Sequence, residues 1–270
     1  MNHRLTYLYL LSPLHTGGAS QEGNVVGIAR ETHTDLPYLP SSSIRGRLRA
    51  ATPETDRIRL WGNTIGDVAD GNAENLTQGG LWVGDGALLW FPVPSLSHGV
   101  VWVTSPFLLR RWLRFVGQTQ VELPSPGAFS GGNGESLYLR DAVFQTTDLH
   151  PWENWHSFVP TGSRETETIQ RTFILSDRDC TVLVQSSLWR QVKVKLDDTK
   201  TVEGGFRYEE AIPPETVMYF PWGSTVAANG KGSGAVQTLE QLLSGDSAWQ
   251  FGGQESLGRG LVDLWNFTEN

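Results

Sequence analysis

The chain has 270 residues, with 21 Lys and Arg against 29 Asp and Glu and a formal net charge of −8. One large domain or two small ones fit that length, and the acidic balance excludes a protein that coats nucleic acid through bulk charge, though not a local basic groove. Hydrophobic residues at 39% exclude general disorder; the single cysteine, Cys180, excludes an internal disulfide and a cysteine-based zinc site and suits a reducing, cytoplasmic setting.

The first eleven residues have the outline of a signal peptide, but Thr6, Tyr7 and Tyr9 interrupt the apolar run, so Leu5–Leu11 reads as a strand. No run is long enough to span a membrane, and no membrane partner is expected. Residues 12–40 read as a long loop, a length that is usually functional or disordered. Ser41–Ala51 reads as a helix with serines at its cap and Ile44 and Leu48 one turn apart. Gly46 inside it suits close approach by another backbone or a ligand. Leu81–Phe91 predicts a strand pair or hairpin about Gly84-Asp85-Gly86, and Val100–Thr104 another strand. Ser105 and Pro106 then start a helix over Phe107–Val116.

Residues 123–170, rich in Pro, Gly and Ser, read as an irregular insertion. Thr172–Leu175 predicts a strand, and Asp177 or Asp179 the cap of a helix running to about Ser187. Gln191–Leu196 alternates as a half-exposed strand does and Phe206–Ile212 returns, so a hairpin protrudes over about 190–212. Thr216–Phe220, Ala235–Leu243 and Leu261–Trp265 complete the pattern as strand, helix and strand. With no internal repeat and no clear linker, the chain fits a single α+β domain over 1–270. Its expected core is ferredoxin-like or RRM-like, a modified βαββαβ with a protruding β-hairpin thumb and the insertion.

Four constellations carry chemistry. Gly253–Gly260 approaches a nucleotide-binding loop, but Arg259 and Gly260 replace the Lys and the hydroxyl residue, and a strand follows it; it is either a tight turn or a backbone cradle for phosphate. Residues 42–60 hold Arg45, Arg47, Arg49, Arg57 and Arg59 against Glu54 and Asp56; the helix is either a solvated face or, with Ser42 and Ser43 at its start, an anion site. The first loop holds His15, Glu22, Arg30, Glu31, His33 and Asp35 in no standard metal spacing. The hairpin carries Lys193, Lys195 and Lys200 with Phe206 and Tyr208, which suits either stacking against bases or an edge kept from aggregating by its lysines. No nucleophile–base motif is present, and Cys180 falls in an apolar helix.

Ser12-Pro-Leu-His-Thr-Gly-Gly18, Ile28-Ala-Arg-Glu31 and Leu36–Arg49 resemble the opening signature of the Cas7-type RAMP proteins of type III CRISPR effector complexes. Phe91–Leu96, Val101–Pro106 and Phe206–Thr216 look like the Csm3-like Cmr4 subgroup, and Gly252–Gly260 like the family's closing glycine loop. The resemblance implies a backbone subunit that binds CRISPR RNA in a helical filament, presents target RNA in antiviral defence, and contacts neighbouring copies or paralogous subunits and other effector subunits. It implies RNA contacts from His15, Arg30, Ser42, Ser43, Arg45, Arg49, Lys193, Lys195, Phe206, Gly253, Gly258 and Arg259. The thumb would insert into the guide–target duplex and kink it. The family's aspartate for metal-dependent cleavage falls at Val25, between Asn24 and Val26, with Glu22 as a weak substitute. The expectation is binding without cleavage, no catalytic residue and no metal ligand, no cofactor for binding, and Mg2+ only if cleavage occurs. An active endoribonuclease and a protein-only scaffold are the alternatives.

Overall fold

The computed structural model describes residues 3–18, 21–22, 24–69, 71, 75–132, 134–225, 232–245 and 248–267. Its strands are β1 (His3–Leu10), β2 (Gln21–Glu22), β3 (Val25–Val26), β4 (Leu81–Val83), β5 (Ala87–Ser95), β6 (Gly99–Thr104), β7 (Ala128–Phe129), β8 (Leu137–Leu139), β9 (Ala142–Phe144), β10 (His150–Pro151), β11 (Thr172–Ile174), β12 (Trp189–Leu196), β13 (Val202–Ala211), β14 (Val217–Ser224), β15 (Trp249–Gln250) and β16 (Leu261–Asn266). Its α-helices are α1 (Ser41–Ala51), α2 (Glu54–Trp61), α3 (Ile65–Ala69), α4 (Pro106–Phe115), α5 (Asp177–Ser186) and α6 (Gly232–Leu243).

Most strands join one mixed sheet, in the order β10-β7-β11-β6-β5-β14-β1-β16-β15. At its centre β4, β14, β1 and β16 lie side by side, each antiparallel to the next. α1 lies in the connection from β1 to β4, and α6 in that from β14 to β16. The sheet is buried on both faces, so β1 and β14 are almost continuously apolar. Leu8, Leu10, Met218 and Phe220 pack on one face with Ile44 and Leu48 of α1 and Leu239 of α6. Tyr7, Tyr9 and Tyr219 pack on the other with Trp112 of α4 and with Phe158 and Ile169.

Several local expectations meet a different structure. β4 and β5 do not pair as a hairpin about Gly84–Gly86; both pair antiparallel with β14, at its two ends. Gly84 sits where the chain crosses Pro221, and a Cβ there would lie 2.8 Å from that ring. No serine side chain caps α1; the Ser41 N–H donates instead to Asp85 Oδ1 at 2.6 Å. The cap of α5 is Ser176, which accepts from the Asp179 N–H, not either aspartate. Ser105 caps α4 with Pro106 in the first turn, as the sequence predicts. Residues 123–170 contain four short strands, β7–β10, and β7 is hydrogen-bonded to β11 in the main sheet. Cys180 is buried on α5, where burial and the neighbouring Asp177 push its thiol up to about 12.

A second, small sheet runs β12-β13-β3-β2. β12 and β13 form the antiparallel hairpin at the expected place, with a shorter tip than the sequence suggests. No helix among the described residues is long and apolar enough to cross a membrane.

Candidate nucleic-acid interface

The hairpin is rooted on two neighbouring carboxylates, Glu209 and Glu210, which are 1% and 4% exposed. Successive strand residues point to opposite faces, so each needs its own cations. Glu210 receives Arg30 Nη2 at 2.6 Å and Arg190 Nε at 3.0 Å. Glu209 receives Lys193 Nζ at 2.7 Å, Arg207 Nη2 at 3.0 Å and Arg259 Nη2 at 3.5 Å. Burial pushes the Glu209 carboxyl up, but Lys193 and Arg207 outweigh it and hold the group below the usual carboxylate range. An uncompensated buried carboxylate would cost several kcal/mol, which is why five cations converge here.

The first loop and the glycine loop close around this root. His15 is buried, and its Nδ1 donates to the Glu210 carbonyl at 2.8 Å. The Gly253 N–H donates to the His15 carbonyl at 2.8 Å. Gly252 and Gly260 both have positive φ. A Cβ at Gly260 would fall 1.8 Å from the Phe251 carbonyl oxygen, and one at Gly252 would fall 2.3 Å from that of His15. The tight-turn reading therefore accounts for these two glycines, whereas Gly258 faces open space. Arg259 is 3% exposed, stacks on Trp189 at 4.6 Å and donates to Gln191 at 2.9 Å, so it braces the hairpin from beneath the loop.

The arginines of α1 also have partners within the chain. Arg45 donates to the Trp61 carbonyl, and Arg49 to that of Gly62, with Asp67 3.9 Å away. These carbonyls are among those left open at the end of α2, so the two side chains act as its C-cap. Arg47 donates to the Gln250 carbonyl at 3.1 Å and lies over Trp249. Gln250 in turn donates to the Arg259 carbonyl at 3.1 Å, which links α1 to the glycine loop. Ser42 is exposed and Ser43 half-buried, and a Cβ added at Gly46 would meet nothing within 4 Å.

Val25 is a strand residue here. It pairs in parallel with Tyr208, and the Tyr208 N–H donates to the Asn24 carbonyl at 2.7 Å. The Glu22 backbone pairs opposite Val25, but its side chain lies outside the described residues. Val25 borders a cavity of about 720 Å3 lined also by Ile28, Arg30, Tyr38, Gln185 and Glu210. Glu210 is already held by two guanidinium groups, and Arg30 Nε is committed to Gln185 Oε1 at 2.9 Å. Among the described residues no three His, Cys, Asp or Glu side chains gather as a metal site. Asp35 is the other carboxylate bordering the cavity, and the described donors there fall short of a three-residue site.

The structure thus brings together His15, Arg30, Lys193, Gly253 and Arg259 at the hairpin root. Lys195 lies farther out, paired with Glu203 at 2.8 Å, and Phe206 is half exposed. Sequence reasoning passed over Glu209 and Glu210; the signal was two adjacent acids ending a strand in a hairpin otherwise rich in cations.

A mixed sheet with helices against it, a first loop tied to a hairpin and a glycine loop closing over both together define a RAMP protein, and a RAMP-superfamily model matches residues 7–263. The chain belongs to that superfamily. It is 28% identical over 284 residues to the CRISPR system Cmr endoribonuclease Cmr4 of Pyrococcus furiosus, covering 98% of this chain and 95% of that protein. The fold is shared with a crystal structure of oligomeric Cmr4 from P. furiosus, with a TM-score of 0.71, 24% identity and full coverage of both chains. It is shared also with a chain of the type III-B Cmr-beta complex bound to cognate target RNA, with a TM-score of 0.70, 18% identity and coverage of 98% and 97%.

Proposed function

We propose that this chain is a backbone subunit of a type III CRISPR ribonucleoprotein, binding CRISPR RNA in a filament and presenting target RNA without cutting it. The observation that carries the reading is the superfamily match over residues 7–263 in a chain that also covers nearly the whole of Cmr4. Neighbouring Cas7-type copies and other effector subunits are its protein partners. The core is ferredoxin-like: β1, α1, β4, β14, α6 and β16 follow the βαββαβ sequence, and their side-by-side order β4-β14-β1-β16 supports it. Residues 84–216 are then inserted between the second and third core strands, and the β12–β13 hairpin is the thumb whose tip reaches the guide–target duplex.

The guide backbone lies along the start of α1 and the glycine loop. The hydroxyls of Ser42 and Ser43 receive phosphate, helped by Gly258. His15, Arg30, Lys193 and Arg259 support that surface by fixing the hairpin root, and Arg45 and Arg49 by capping α2, while Lys195 borders the RNA. Binding needs no cofactor.

Cleavage is absent because Val25 supplies neither a general base nor a metal ligand. In the assembled complex with Mg2+, wild type leaves a guide-complementary RNA intact, whereas Val25→Asp cuts it at regular intervals. Regular cutting by wild type, lost in a Glu22→Ala variant, would overturn the non-cleaving assignment. Co-purified nucleic acid is the first check: an absorbance ratio typical of pure protein would favour a scaffold that binds no RNA.

A further inference from the structure

Part of the 123–170 segment walls a cavity of about 540 Å3 that the RNA reading leaves unused. The cavity lies on the sheet face that carries Tyr7 and Trp112, opposite the face on which α1 packs. Its floor is buried: Tyr7, Trp112 and Val159 are 1%, 4% and 9% exposed. The Tyr7 ring stacks on Trp265 at 5.3 Å and meets the half-buried Phe267 edge-on at 6.4 Å, which fixes that floor. Two indoles hold the wall above it. Trp90 Nε1 donates to the Phe158 carbonyl at 2.9 Å, and Trp265 Nε1 to the Thr161 carbonyl at 2.8 Å. The rim is exposed and polar, formed by Gln118 just past α4 and by His156, Ser157 and Thr161.

The chemistry of the lining selects the ligand. No Lys, Arg, Asp or Glu side chain lines the cavity among the described residues, so a charged group would lose its water there without gaining a partner. Four rings, those of Tyr7, Trp112, His156 and Phe267, favour a flat occupant that stacks on them or meets them edge-on. The polar groups are few and of both kinds. The Tyr7 hydroxyl accepts from Trp112 Nε1 at 2.9 Å, and its own proton has no acceptor among the described residues. Burial holds that phenol well above its ordinary value, so the proton stays on the oxygen as a donor. Gln118 is tied to α4 through its backbone N–H, which donates to the Leu113 carbonyl at 3.0 Å, and its amide is left to offer a donor and an acceptor at the rim. A buried aromatic floor with a few orienting polar groups is the usual make-up of a small-molecule site.

We propose that this cavity binds an uncharged nucleobase or nucleoside. The base lies against the aromatic floor with a ring acceptor on the Tyr7 hydroxyl, and a sugar, where present, reaches the Ser157 and Thr161 rim. The site goes beyond the RNA-guide reading and does not depend on it, because it sits on the other face of the sheet from α1.

The test is a ligand-observed NMR titration of the purified full chain, free of RNA, with adenosine, guanosine, cytidine and uridine. At least one should bind saturably, with a Kd below about 1 mM. Its 5′-monophosphate should bind no tighter, since no cation lines the site. Tyr7→Phe keeps the ring and removes the donor, and should weaken binding about tenfold. Gln118→Trp fills the cavity from an exposed position and should abolish binding with an unchanged far-UV spectrum, so it decides the matter even if Tyr7→Phe does not fold. Binding that survives Gln118→Trp would overturn the proposal by placing the ligand elsewhere. Failure of all four nucleosides would overturn it too, and indole binding in their stead would assign the cavity to an aromatic side chain of a partner protein. RNA binding by Gln118→Trp should match wild type; a tenfold loss would overturn the proposal by making the cavity part of the RNA surface. A chain that binds no RNA would leave the nucleoside titration unchanged, so failure of the RNA-guide reading is told apart from failure of this one.

Discussion

Glu209 illustrates how a single side chain can set the geometry of a projecting element. It draws one cation from β12, one from its own strand and one from the glycine loop. Glu209→Ala would leave those cations facing each other across a buried space, and a loss of about 3 kcal/mol in urea unfolding is expected. Because its folded carboxyl sits below the usual range, its contribution is complete above the unfolded value near pH 4.5 and disappears as pH falls through the folded value. Glu31, opposed by burial but held down by Arg111 and Thr34, acts in the same sense. Melting temperature should therefore drop steeply below pH 4.5 in wild type and less steeply in Glu209→Gln, an outcome that calorimetry across pH 3 to 7 can check. Arg49 carries a second lesson. Its charge reads as an RNA contact in the sequence, but the group is spent on the end of α2. Arg49→Ala should cost about 1.5 kcal/mol of stability even without RNA, and an unchanged denaturation midpoint would contradict the capping role.

At the scale of elements, what the sequence reveals depends on how local the cause is. Helix α4 is legible because Ser105 and Pro106 write its start into adjacent residues; Ser105→Ala should cost about 1 kcal/mol, read as a shift in the urea midpoint. The hairpin is legible because alternation is local too. Even its division into two faces was available, since Lys193 and Val194 are neighbours in a strand and must point apart. The pairing of β4 and β5 was beyond reach. Gly84-Asp85-Gly86 carries a turn signal, but the partner strand begins at Val217, and nothing in a local window announces a contact so far along the chain. The cap of α1 was missed for the same reason: Asp85 comes from another element, not from the serine run.

Across the molecule, the main sheet is continuous from the short strands of the 123–170 segment to the last strand, and both of its faces are buried. With the chain read as one domain, tryptophan fluorescence and far-UV circular dichroism should give coincident urea transitions; two resolved transitions would show independent units. The acidic total fits the same picture, because cations near the hairpin are matched to specific carboxylates instead of forming an open basic field. One buried atom has a practical consequence. Pushed up to about 12 by burial and only 1% exposed, the Cys180 thiol stays protonated at neutral pH and shielded from reagents. The chain is thus a ready background for site-selective chemistry. A single cysteine placed at the hairpin tip, at Thr199 for example, would be its sole reactive thiol, and a fluorophore there would report the tip's surroundings without first removing a native group.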